Sequence, residues 1–111
     1  MPNSSVAQNL FFDTELTIAA STFDGTAKRI GALSNNPVMI LFKNQTSVSV
    51  FLADNSGSTK GTTMAIGEEI IIDCRANKGS AANMAFPIGS TFYATGVAGT
   101  GSFKISVIYA K

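Results

Sequence analysis

Apolar and polar residues alternate with a period of two along much of this chain. Successive side chains on a pleated strand point to opposite faces, so the period marks strands with one buried side. The alternation is cleanest near the end, where Phe103, Ile105, Val107 and Tyr109 share one face and Lys104, Ser106, Ile108 and Ala110 the other. Residues 14–19 place Leu16 and Ile18 inward with Glu15 and Thr17 outward, and residues 91–95 alternate around Phe92 and Ala94. The longest tract, residues 38–55, sets two apolar runs about the polar middle Lys43-Asn44-Gln45-Thr46. Its first run is apolar on both faces, as in a central strand covered from both sides. In the second run Val48, Val50 and Leu52 fall on one face. A hairpin here would set Val38, Ile40 and Phe42 against that face and nucleate one layer of a sandwich. Ile40, Val50 and Ile105 are expected in the core.

Turn residues punctuate these runs: Asp24-Gly25, Asn35-Asn36-Pro37, residues 54–61, Ile66-Gly67-Glu68, Pro87-Ile88-Gly89 and the glycine-rich residues 96–101. Between them lie a short edge strand at residues 27–30, guarded by Lys28 and Arg29, and a well-buried strand at Ile70-Ile71-Ile72. Residues 75–86 read as a loop with room for one helical turn. Seven to eight short strands without a βαβ rhythm predict an all-β fold, an antiparallel β-sandwich of jelly-roll-like form.

The polar residues 1–9 predict an extended N-terminal arm, and the division expected is an arm over 1–13 and a sandwich over 14–111. Leu10-Phe11-Phe12 can tuck under the sandwich as an edge strand or anchor the arm on a neighbouring subunit. On a strand Phe11 faces away from Leu10 and Phe12, so a single sheet buries only one of these sides. Leu10, Phe11 and Phe12 are therefore the expected protein-interface residues.

Charge narrows the class of partner. Only 14% of the residues are charged, against a usual quarter, and the net charge is +1 with no basic block. Nucleic acid is not an expected partner. A polar, neutral surface suits packing against other proteins, although hydroxyl-rich strands of a stable all-β domain look the same. Low charge and open sheet edges predict a homo-oligomer, a homodimer ahead of a trimer. No apolar run is long enough to span a bilayer, and the N-terminus lacks the features of a signal peptide. Cys74 then reads as a small buried hydrophobe of a cytoplasmic protein, and the sequons at Asn3 and Asn44 carry no glycan.

The chain contains no His, which removes the commonest general base and metal ligand. Glu68 and Glu69 are adjacent and would point apart on a strand, and the Asp54-Asn55 loop lacks calcium-site spacing. No catalytic residue, metal or cofactor is expected.

Phe42-Lys43-Asn44-Gln45-Thr46 leads into Val48-Ser49-Val50-Phe51-Leu52, then Met64-Ala65-Ile66-Gly67-Glu68, Phe92-Tyr93-Ala94-Thr95 and the closing strand. Across residues 37–111 this arrangement resembles the small β-sandwich proteins of tailed-phage virions, above all the capsid decoration, cement or staple proteins. The length and polar arm are similar to the jelly-roll staple proteins of epsilon-type short-tailed phages. The resemblance implies a structural protein made in the bacterial host cytoplasm. It would bind the major capsid protein on the outer virion surface and staple neighbouring capsomers. The alternative is a receptor- or carbohydrate-binding module of a tail fibre or baseplate, disfavoured by the lack of Trp and only two Tyr.

Overall fold

The computed structural model describes residues 9–57, 59–74 and 86–110. Residues 1–8 of the expected arm and the loop expected at 75–85 lie outside them. The described strands are β1 (Leu10–Phe12), β2 (Leu16–Ala19), β3 (Lys28–Ala32), β4 (Pro37–Thr46), β5 (Val50–Ala53), β6 (Gly61–Met64), β7 (Glu69–Asp73), β8 (Thr91–Thr95) and β9 (Gly101–Ala110). A short 3-10 turn, Ala20–Thr22, follows β2.

Pairing is nested and antiparallel. β5 pairs with β6, β4 with β7, β3 with β8 and β2 with β9. Further pairs β4–β9 and β5–β8 gather the strands into two sheets. One sheet runs β1-β9-β4-β7, with β2 continuing beside β9, and the other runs β3-β8-β5-β6. A long antiparallel ribbon folded over on itself gives this arrangement, and it is a jelly roll. The all-β antiparallel sandwich read from alternation is thus the fold observed.

The layers meet over Ile40, Phe42, Val50, Met64, Phe92, Ala94, Phe103, Ile105 and Val107, all buried. Ile40, Val50 and Ile105 are fully enclosed, as their phase predicted. Phe42 of one sheet meets Phe92 of the other edge to face, with centroids 5.4 Å apart and planes at 70°. Such T-shaped pairs set the positive ring edge against the partner's negative face.

The run at 38–42 is central in its sheet but not covered from both sides, since Ile40 and Phe42 are buried while Met39 and Leu41 are only partly so. Two further expectations are corrected. Residues 38–55 do not form a hairpin in one layer: β4 and β5 belong to opposite sheets. The polar middle continues β4 as far as Thr46, and Asn44 and Thr46 are buried. Asn44 Nδ2 donates to the carbonyls of Val48 (3.0 Å), Met64 (3.0 Å) and Ala65 (3.1 Å). Its Oδ1 accepts from the Thr46 amide (3.1 Å) and hydroxyl (2.6 Å). One side chain thus satisfies backbone groups at the crossover from β4 to β5 and at the end of β6, which lets a polar residue occupy the core. The second correction concerns Ile70-Ile71-Ile72. The strand β7 is an edge of its sheet, and Ile71 is 61% exposed while Ile70 and Ile72 pack inward.

Candidate assembly surface

The segment Leu10-Phe11-Phe12 forms β1, an outer strand on the end of β9. Leu10 lies opposite Ala110, Phe11 opposite Tyr109 and Phe12 opposite Ile108. Phe11 stacks on Tyr109, with centroids 5.6 Å apart and planes at 30°. That contact lies on the core-facing side of the sheet, since Tyr109 follows Val107 by two residues. Leu10 and Phe12 point to the outer side, where Phe12 is 83% exposed. All three predicted interface residues therefore share one strand, and none is buried.

Asp13 anchors this strand. Its amide donates to the Val107 carbonyl (2.9 Å), while its carboxylate accepts from Asn35 Nδ2 (3.1 Å), Ser34 Oγ (3.1 Å) and the Thr14 amide (2.8 Å). These donors, Asn35 foremost, hold the carboxyl below its ordinary value because they stabilise the charged form. β1 is thereby tied to the loop between β3 and β4.

The outer face of the β1-β9-β4-β7 sheet has a charged end and an apolar end. At the charged end Glu69, Lys43 and Lys104 lie side by side in register on β7, β4 and β9. Glu15 Oε2 accepts from Ser106 Oγ (3.0 Å) and Lys43 Nζ (3.3 Å), and these contacts, the Ser106 hydroxyl foremost, keep its carboxyl below the ordinary range. Ile71 on this face escaped the sequence reading, yet a signal was present. Glu69, Ile71 and Asp73 share one side of the strand, so two acidic neighbours mark that side as solvent-facing.

Where the sheet edges β6 and β7 diverge, an open apolar groove of about 240 Å³ is lined by Phe42, Leu52, Ile70, Ile72, Phe86 and Phe92. Cys74 sits just past β7, and burial pushes its thiol above the ordinary value. A raised value keeps the thiol protonated at neutral pH and slows its chemistry. Among the described residues no three His, Cys, Asp or Glu side chains group as metal ligands.

No family model matches the chain, and no curated protein does. In fold the chain is similar to a chain of the structure described as "Bacillus endospore appendages form a novel family of disulfide-linked pili". That likeness has a TM-score of 0.51 at 17% identity and covers 94% of this chain and 90% of the other. At that identity it shows the fold. It overturns the assignment to the phage capsid decoration proteins, and with it the major capsid protein as partner, the capsid-stapling role and the virion location. The reason is physical: strand spacing and turn placement specify a jelly roll, which serves many assemblies, and carry no information on what its surface meets.

Proposed function

We propose that this chain is a non-enzymatic structural subunit that associates with copies of itself into a fibre of the spore-surface appendage kind. The observation that carries this reading is β1, a strand whose Leu10, Phe11 and Phe12 remain 50%, 41% and 83% exposed. Leaving a Phe in water forgoes about 2 kcal/mol of burial, which contact with a neighbour recovers. The fold likeness to a pilus chain supports the same reading.

A fibre requires at least two contacts per subunit. The edge β6 supplies a candidate for the second, because Gly61–Met64 holds no charged residue, whereas β7 carries Glu69 and Asp73 and β3 carries Lys28, Arg29 and a bulge after Arg29. The similar pili are described as disulfide-linked. Here the 111 residues hold one cysteine, so a disulfide would join two subunits and leave no thiol for a third. Within these residues, contacts beyond such a pair rest on buried apolar surface and strand pairing.

Deleting residues 1–12 tests the role of the arm, which this reading places outside the autonomous sandwich. Circular dichroism should show a folded β protein, while sedimentation and negative-stain microscopy show assembly lost or much weakened. Undiminished assembly would remove the arm from the contact, and an unfolded product would place β1 in the core. A parent chain that stays monomeric at every concentration would overturn self-association itself.

A further inference from the structure

Resting on that self-association, we infer that the whole outer face of the β1-β9-β4-β7 sheet, and not β1 alone, is the contact, and that a second copy of this chain packs on it sheet to sheet. Pairing register places the apolar residues. Phe12 lies beside Ile108, Ile108 beside Met39, and Leu41 beside Ile71, with Leu10 next to Ala110 at the rim. Their inward neighbours Ile40 and Val107 occupy the core, so Met39, Leu41 and Ile108 point away from it. An apolar band thus crosses the face from β1 to β7 by stepping along β4 from Met39 to Leu41, with Asp73 beside Met39 and Ser106 beside Leu41 at its margins. Its two ends are the most open, Phe12 at 83% and Ile71 at 61% exposed.

The dimensions fit a second copy. The two central strands are each 10 residues long. With strands about 4.8 Å apart and a rise of about 3.3 Å per residue, four strand positions project to roughly 600 Å². Side-chain relief brings that near the roughly 800 Å² each partner contributes to a standard interface. Packing two such faces reproduces the geometry by which sheets already stack within a sandwich. Charge on the face is of mixed sign and so does not oppose it: Lys43 is bonded to Glu15, Glu69 and Lys104 flank Lys43 in register, and Asp73 lies beside Met39. The pair so formed does not use the edge β6, which lies on the other sheet.

Sedimentation velocity over a concentration series, with the full chain, decides the point. Ile71→Lys changes the end of the band farthest from β1, at an exposed position where folding tolerates it. Val97→Lys is the control, equally exposed at 64% but in the β8–β9 connection. Ile71→Lys should weaken self-association at least tenfold and Val97→Lys by less than twofold, with circular dichroism unchanged for both. If the parent associates and Ile71→Lys associates equally well, the face is not the contact, although the fibre reading stands. Equal weakening by Val97→Lys also overturns the inference. A parent that remains monomeric overturns the fibre reading, and the face with it.

Discussion

Asn44 is a polar residue at the centre of an apolar sandwich, and the chain's path depends on it. Truncation to Ala leaves the buried Met64 carbonyl and Thr46 amide without this partner and removes a donor from the part-buried Ala65 carbonyl, while the Val48 carbonyl keeps the Thr46 hydroxyl. Each buried group left unpaired costs about 1–3 kcal/mol, some of it recovered by relaxation. Asn44→Ala should therefore lower stability by about 3 kcal/mol, and Thr46→Val by about 1 kcal/mol, read as urea midpoints at constant slope. An Asn44→Ala midpoint equal to the parent's would show that the network contributes nothing. Truncating the fully enclosed Ile40, Val50 or Ile105 to Ala leaves a cavity and should cost about 2–5 kcal/mol in the same measurement. Those three positions were legible in the sequence because a period-two pattern needs no knowledge of the partner strand. Asn44 was not, since a polar residue between apolar runs looks like a turn until its acceptors, up to 21 positions away, are known.

At the scale of elements, β1 is held to the sheet partly through Asp13. Its carboxyl is lowered from 3.8 in the fold, so the folded protein favours the charged form. That stabilisation is complete above the ordinary value and disappears as pH falls through the lowered one. Amide exchange should report β1 loosening in acid before the core strands do, and Asp13→Asn should flatten this pH dependence. Uniform protection of β1 and β9 through the acid range would refute it. A second prediction concerns Gly61, where a Cβ would collide with the Leu52 carbonyl oxygen across the β5–β6 pair. Backbone cannot yield as a side chain can, so Gly61→Ala should detach β6, seen as lost exchange protection at Met64. Protection equal to the parent's would show that the pair accommodates the methyl. The misread β7 belongs to this scale as well. Three consecutive isoleucines suggest burial on both sides, but in a sandwich of two sheets each strand has one face toward the other sheet and one away from it.

For the whole molecule, nested pairing joins residues far apart in sequence, as in the β2–β9 pair of Leu16 with Ile105. Loop-closure entropy must be overcome before such contacts reward it, so refolding should take milliseconds to seconds. Stopped-flow fluorescence of Tyr93 and Tyr109 can follow it, and a microsecond phase carrying the full amplitude would contradict the topology. The features readable from residue order alone are local. Alternation marked the strands of the core, Gly and Pro marked their ends, and low charge with exposed aromatics pointed to contact with other protein. Which sheet each strand joins, which face of β7 is wet, and that Phe12, Ile108, Met39, Leu41 and Ile71 share one face emerge only on folding. Alternation repeats over two residues, whereas strand order and shared faces arise from pairings tens of residues apart. The identity of the partner depends on a second surface, and one chain's alternation, which phases strands for any jelly roll, does not encode it.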